Sequence, residues 1–349
     1  MTVKYIDLFA GAGGLSLGLK NCGFKADFVN DIDPQFCETY LKNNPSVNVD
    51  CFDISARDVN PIFKKFKGID LVVGGPPCQG FSQKGSRLGL KDNRNYLFNK
   101  FLDVVELTQP KVVLMENVPN LLSTSGGYFK SQILDFFHNL NYQCKYEVLN
   151  SYDYGVPQKR KRAIIVAYKS RKEFIFPEHQ IKKINVSDAI SDLPPLNSGE
   201  GSFFQDYSTK SKTKYQDLMR KDSDGVFNHV ATNHSLLALH KLSYIPKLGD
   251  KSFLPIELRT KSLHSGTWSR IDPSKPSRTI TTRFDTPSSG QFTLNDQDRC
   301  LTVREAARLQ SFPDKYIFYG NKTSQMKQVG NAVPPIMAEN LGNSLKKLF

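Results

Sequence analysis

The stretch 74–82 (GGPPCQGFS) contains one cysteine, Cys78, between a proline pair and a glycine. It directly follows the apolar run 69–73, which has the character of a buried strand. A thiolate at this position could attack an electron-poor carbon and form a covalent intermediate. Alternatively, glycine and proline simply mark a loop, and the cysteine is a small buried hydrophobe. From this stretch alone both interpretations stay open.

A glycine-rich loop, Asp7–Gly14 (DLFAGAGG), lies between the first apolar run and a helical pattern. Open α/β sheets bind nucleotide-like ligands at this position, and glycines let the backbone approach the ligand closely. The spacing is GxGG, and Ser16 replaces the third glycine of dinucleotide enzymes. Asp31, Asp33 and Asp53 lie near the ends of the next candidate strands, where a carboxylate could bind ribose hydroxyls or an adenine amino group. The pattern favours S-adenosylmethionine over NAD.

These residues terminate short apolar runs that alternate with amphipathic stretches, which predicts an α/β domain. The expected strands are Tyr5–Phe9, Ala26–Asn30, Leu71–Gly74, Val112–Glu116, Tyr146–Asn150 and Ala163–Tyr168. The expected helices are Leu15–Asn21, Pro34–Asn43, Tyr96–Thr108 and Phe129–Leu140.

The alternation of apolar runs and amphipathic stretches ends at about Arg171, and residues 186–325 are rich in Ser, Pro, Lys and Gly. Within that region Thr302–Gln310 is expected to be a short helix, with Thr302 as its N-cap and Glu305 three residues further along. A last helix is expected over Ile336–Leu348.

Composition excludes several classes of protein. A hydrophobic content of 39% with 23% charged residues is ordinary for a globular protein. No stretch reaches the roughly 18 apolar residues of a membrane span, and the N-terminus lacks a signal-peptide core. The six cysteines show no CxxC spacing, so reduced thiols in the cytoplasm, with no metal site, are expected.

The net charge of +13 is unevenly distributed. Residues 1–150 carry 16 Lys and Arg against 15 Asp and Glu, whereas residues 151–349 carry 31 against 19. A basic half beside a neutral half indicates a polyanion-binding surface on one part of the molecule. A merely basic, soluble surface is the alternative.

Three further motifs complete an ordered set. Glu116 ends an apolar run in Met115–Val118 (MENV), and the basic segment Gln158–Arg162 (QKRKR) leads into the next. Gly330–Pro335 (GNAVPP) follows near the C-terminus. With the glycine loop and the Pro-Cys loop, these motifs occur in the order of one family. The sequence resembles a bacterial-type DNA (cytosine-5) methyltransferase over the whole chain except about 186–270.

The resemblance assigns roles to the catalytic candidates. Cys78 would add to C6 of cytosine, because C5 becomes nucleophilic only once the ring is an enamine. Glu116 would bind N3, which requires that its carboxyl carry or share a proton in a partly dry pocket. Arg162 would bind O2, Arg160 would steady the site and its backbone, and the Pro76 carbonyl would accept from the amino group. The target base would have to be flipped out of the duplex.

The resemblance also implies a fold and partners. The expected fold is a doubly wound, mostly parallel sheet of the S-adenosylmethionine-dependent methyltransferase type, with a smaller inserted DNA-recognition domain. Duplex DNA and S-adenosylmethionine are the expected partners of a monomer that binds no membrane. The cofactor residues are expected to be Phe9, Gly11, Gly13, Gly14, Asp31, Ile32, Asp53, Ile54, Pro77, Leu97 and Asn331, although an ordinary turn role is also open for Asn331.

The catalytic domain is expected to comprise residues 1–185 and 326–349, and the target-recognition domain residues 186–325. Within the latter, 186–270 is the expected variable part. The segment Lys261–Arg270, which contains Trp268, either lies near DNA or is a surface loop. We expect a chain of this size to have no large regulatory extension. In this respect it resembles the methylases of restriction–modification systems.

Three rival functions differ in testable features. The tRNA-methylating branch of the same family carries a Cys-Phe-Thr tripeptide, which this sequence lacks. An inactive DNA-binding module is disfavoured because Cys78, Glu116 and Arg162 are all intact. A nicotinamide oxidoreductase is disfavoured by the missing third glycine and by the basic second half.

Overall fold

The computed structural model describes residues 2–77, 96–259 and 266–349. Its chain forms two compact units. The first contains Met1–Asn150, Lys161–His179 and Pro335–Phe349, and the second contains Ser151–Arg160 and Gln180–Pro334.

These limits differ from the expected boundaries at three segments, because 151–160, 180–185 and 326–334 belong to the second unit. Backbone hydrogen bonds account for two of the differences. Lys159 N donates to Ser277 O at 2.9 Å, and Gln180 N donates to Asp153 O at 2.8 Å. Sequence periodicity contains no information about such long-range pairings.

The first unit is built on a seven-stranded sheet. The strands are β1 (Lys4–Leu8), β2 (Lys25–Asp31), β3 (Val49–Cys51), β4 (Leu71–Gly74), β5 (Val112–Asn117), β6 (Gln143–Asn150) and β7 (Lys161–Tyr168). Their order in the sheet is β3-β2-β1-β4-β5-β7-β6. All neighbouring pairs from β3 to β5 are parallel, and β7 is antiparallel to both β5 and β6. The predicted doubly wound, mostly parallel sheet is therefore confirmed.

Helices connect the parallel strands and cover the sheet with apolar side chains. Residues of α4 and α6 join the strands in one core cluster, in which Phe98 meets Phe129 edge to face at 5.1 Å. No helix in the described ranges is both long and apolar enough to span a membrane. The helices are α1 (Gly14–Asn21), α2 (Pro34–Asn43), α3 (Asn60–Phe63), α4 (Tyr96–Thr108), α5 (Asn120–Ser123), α6 (Tyr128–Asn139), α7 (Val186–Ile190), α8 (Lys214–Arg220), α9 (Leu236–Ser243), α10 (Val303–Leu309), α11 (Lys322–Asn331) and α12 (Pro335–Leu345).

The second unit contains helices α7 to α11 and an antiparallel pair, β8 (Gly201–Gln205) and β9 (Val226–Val230). Its short elements are stabilised by buried ion pairs. The Arg299 guanidinium donates to both carboxylate oxygens of Glu305 at 2.8 Å. Glu305 also closes a capping box with Thr302 at the start of α10, which confirms the predicted cap.

Candidate active site

The parallel strands bring four of the predicted motifs to one edge of the sheet. Leu8, near the end of β1, pairs with Asn30 of β2 and with Gly74 of β4, and Gly74 pairs with Met115 of β5. The segments that follow these residues therefore leave the sheet side by side. In open α/β sheets this carboxyl edge is where ligands bind.

The glycine loop takes a left-handed path along this edge. Phe9 has φ +57°, and Gly11 and Gly13 have φ +58° and +85°. A left-handed phenylalanine is strained, and such strain clusters at ligand clamps. Gly11 N donates to Asp31 Oδ2 at 2.8 Å, so the end of β2 holds the loop in place.

Two of the three candidate carboxylates occupy well-defined local roles. Asp33 caps α2, because its Oδ1 accepts from Gln35 N at 2.9 Å. Asp53 accepts from Ser55 Oγ and N at 2.6 and 2.8 Å, and these bonds lower the pKa of its carboxyl. Burial raises the pKa of Asp31, opposed by hydrogen bonds from Asp33 N and Gly11 N. Ile32, between Asp31 and Asp33, is 62% exposed, an unusual state for an isoleucine at a strand end.

The remaining cofactor candidates of the first unit lie near this edge in the chain. Leu97 is partly buried and packs against the core, as Phe9 does. Ile54 is buried, Pro77 is half-buried, and Gly14 begins α1.

Glu116 and Arg162 are the catalytic candidates that the structure brings into contact. Glu116 pairs with Ile164 across β5 and β7. Because β7 is antiparallel, its beginning lies at the edge where β5 ends. Arg162 Nε lies 2.6 Å from Glu116 Oε1, and the two side chains are only 15% and 11% exposed. The pair lacks hydrogen-bond alignment, so the buried Glu116 Oε1 has no hydrogen-bond partner in the described residues.

The entry to the Pro-Cys loop lies beside this pair. Asn117 Nδ2 donates to the Pro76 carbonyl at 2.8 Å, and a Cβ placed on Gly75 would lie 3.0 Å from Glu116 Oε2. The path to Cys78 is thus fixed against the end of β5. Cys78 itself lies outside the described residues.

Arg160 and Asn331 belong to the second unit. The Arg160 guanidinium, 1% exposed, donates to Ile280 O at 3.0 Å and to Gly330 O at 2.8 Å. A Cβ on Gly330 would lie 2.2 Å from Thr281 O, so only glycine fits there. Asn331 ends α11. In this unit Arg160 therefore binds the backbone of the segment that carries Asn331.

Sequence reasoning missed Asp7 as an individual candidate. Asp7 is 1% exposed, its Oδ2 accepts from Ser16 Oγ at 2.5 Å, and its Oδ1 has no partner in the described chain. Burial raises the pKa of Asp7 to about 7. A carboxylate inside the otherwise apolar strand β1 was the signal that could have identified it.

A mostly parallel sheet with an antiparallel β7, a glycine loop after β1 and an acid–arginine pair at the carboxyl edge define an α/β methyltransferase. The chain belongs to the C-5 cytosine-specific DNA methylase family, which it matches over residues 3–347. The resemblance drawn from the motifs is confirmed.

Curated relatives and solved structures agree with this assignment. The chain is 38% identical to the type II methyltransferase M1.HphI of Haemophilus parahaemolyticus, covering 100% of this chain and 88% of that one. It is 36% identical to M.DdeI of Desulfomicrobium norvegicum, covering 99% and 89%. A crystal structure of an E. coli prophage protein described as a DNA modification methyltransferase superposes with a TM-score of 0.80 at 26% identity, covering 99% of each chain.

Proposed function

We propose that this methylase modifies C5 of a flipped-out cytosine within a short, specific sequence of duplex DNA. The observation that carries the proposal is the buried contact between Glu116 and Arg162 at the end of β5, next to the entry of the Pro-Cys loop. A buried acid and arginine in contact can bind two neighbouring polar atoms of one planar base.

In the proposed reaction the Cys78 thiolate forms a bond to C6 of cytosine, and the displaced ring electrons make C5 nucleophilic. The Glu116 carboxyl donates its proton toward N3, and Arg162 donates to O2. The Pro76 carbonyl, which accepts from Asn117 Nδ2, is the proposed acceptor for the exocyclic amino group. After C5 is methylated, a base removes the C5 proton, the C6–sulfur bond breaks to release the thiolate, and the N3 proton returns to Glu116.

S-adenosylmethionine is the proposed methyl donor, and its sulfonium carries the methyl group that C5 receives. The chain's residues fit it: Asp31 would offer a carboxylate to ribose hydroxyls, Asp53 would accept from an adenine amino group, and the exposed Ile32 would offer an apolar surface. The glycine loop, with left-handed backbone at Phe9 and Gly11, follows β1 at the same edge. Proposed supporting contacts come from Gly13, Gly14, Ile54, Pro77, Leu97 and Asn331.

The second unit is proposed to recognise the target sequence. This unit, residues 151–160 and 180–334, carries 24 Lys and Arg against 16 Asp and Glu, and this positive excess suits contacts to phosphates and base edges. We further propose that the protein acts as a monomer in the cytoplasm. Because the relatives are type II methyltransferases, a partner restriction enzyme of the same specificity is part of the proposal.

Methyl transfer tests the proposal directly. Purified protein is incubated with labelled S-adenosylmethionine and duplex DNA, and the product nucleosides are separated. The expected label is 5-methylcytosine in one sequence context. A duplex with 5-fluorocytosine at that position should yield a complex that survives denaturation, because fluorine cannot leave as a proton does. Label in tRNA but not in DNA, or only at an exocyclic nitrogen, would overturn the proposal.

A further inference from the structure

Two thiols converge on the turn that carries Asp31 and Ile32. The Cys37 thiol, in the first turns of α2, lies 3.6 Å from Asp31 O. The Cys51 thiol, at the end of β3, lies 3.7 Å from Ile32 O, and Cys51 is the register partner of Asp31. The two sulfurs therefore lie on the same turn, each in contact with one of its carbonyl oxygens. Two cysteines from separate elements thus contact consecutive peptide carbonyls.

The two thiols differ in access. Cys51 is exposed and Cys37 is buried, so an oxidant in solution reaches Cys51 first. Burial raises the pKa of Cys37, so the attack of its thiolate on the oxidised sulfur is expected to be the slow step. An exposed cysteine beside a second one is the arrangement of a sulfur that is oxidised and then resolved.

We propose that Cys37 and Cys51 form a disulfide under hydrogen peroxide and that this disulfide weakens binding of the methyl donor. Cys51 attacks the peroxide, giving a sulfenic acid and one water. Cys37 then attacks the Cys51 sulfur, its proton leaves with the hydroxyl as a second water, and the S–S bond forms. Two thiols are oxidised and one peroxide is reduced to two waters.

The effect on binding follows from geometry. A disulfide needs its sulfurs about 2.05 Å apart, closer than two thiols that share no covalent bond. Formation of the S–S bond would draw α2 and β3 together next to Asp31. The Asp31 carboxylate also accepts a hydrogen bond from Gly11 N at 2.8 Å. We expect donor affinity to fall about tenfold or more, as for the loss of a charge-assisted hydrogen bond. This consequence rests on the proposed donor site; the disulfide does not.

The test uses full-length protein, reduced or treated with hydrogen peroxide. Peptide mapping by mass spectrometry locates disulfides, and calorimetry with S-adenosylmethionine measures affinity without any turnover. The expected result is a 37–51 disulfide and weaker binding after peroxide treatment, with reduction restoring both the free thiols and the affinity. Cys51→Ser, at an exposed position, should bind normally and become insensitive to peroxide. Cys144→Ser, on β6, should remain as sensitive as wild type.

Absence of a 37–51 disulfide would overturn the inference, as would a mapped disulfide with unchanged affinity. Equal loss of affinity in Cys51→Ser would also overturn it, because another cysteine would then be responsible. If reduced wild-type protein failed to bind S-adenosylmethionine, the proposed donor site would fail instead. The mapped disulfide distinguishes that failure from failure of the thiol pair.

Discussion

Arg162 Nε lies 2.6 Å from Glu116 Oε1, although the two residues come from strands that run in opposite directions. The contact exists because the antiparallel β7 begins at the edge where the parallel β5 ends. An all-parallel sheet would bring the end of the neighbouring strand to this edge instead of its beginning. The reversal of one strand thus completes the proposed base pocket.

Glu116→Gln should lower the rate of methyl transfer by about 100- to 10,000-fold, the usual contribution of general acid catalysis. Duplex binding should change little, because phosphate contacts supply most of the affinity. Single-turnover kinetics measures the loss. Glu147→Gln is the matched control: Glu147 pairs with the same β7 residue, Ile164, but is exposed. Activity within about threefold of wild type in Glu116→Gln would remove Glu116 from the proposed chemistry.

Cys78→Ala should abolish methyl transfer and trapping by 5-fluorocytosine DNA, because no thiolate can add to C6. Affinity for the duplex, measured by fluorescence anisotropy, should remain close to wild type. Cys144→Ala should retain both activities. Substantial turnover by Cys78→Ala would refute the proposed nucleophile.

Asp31→Ala should weaken S-adenosylmethionine binding by about 1.5–3 kcal/mol, the value of a hydrogen bond to a charged group. Calorimetry without DNA is the measurement. Asp33→Ala is the informative companion, since Asp33 caps α2. It should lower the free energy of unfolding by about 1 kcal/mol and leave donor affinity nearly unchanged. The opposite pattern would assign the ribose contact to Asp33.

The raised pKa of Asp7 predicts that the free energy of unfolding depends on pH. Its pKa is raised from 3.8 to about 7 in the folded protein. As pH rises from about 4 to 7, the unfolded chain releases this proton while the folded chain keeps it, so this group stabilises the fold less at higher pH. Asp7→Asn removes the titration.

Relative to wild type, the free energy of unfolding of Asp7→Asn should rise by about 1.4 kcal/mol per pH unit across that window and level off above pH 7. Urea unfolding at several pH values between 5 and 8 measures it. Asp135→Asn, at an exposed position of α6, is the control. A difference between variant and wild type that is constant with pH would show that Asp7 does not titrate in this range.

Exchanging residues 186–270 for the matching segment of a relative with another target should change which cytosine is methylated. Each good base-edge contact contributes about 1–3 kcal/mol of discrimination, whereas Cys78 and Glu116 would act as before. Bisulfite sequencing of DNA from expressing cells reads the target. A folded, active chimera with the original specificity would place recognition elsewhere, with the loop after Cys78 as the next segment to exchange.

The family, the sheet and the ends of the strands that carry the motifs could be predicted from the sequence. Apolar runs are local, so strand ends such as Gly74 and Glu116 could be located by pattern. The capping box of Thr302 and Glu305 is likewise a spacing of three residues. Motif order then identified the family, since several weak signals in one order rarely coincide.

Only the tertiary structure decided how these pieces meet. Periodicity does not reveal that β7 runs antiparallel, so the contact of Arg162 with Glu116 was not predictable from spacing. Asp31 and Asp33 look equivalent in sequence, but one bonds the glycine loop and the other caps a helix. Arg160 and Arg162 are two positions apart and belong to different units. Sequence records local preference, whereas strand direction, burial and long-range hydrogen bonds arise when distant segments pack together.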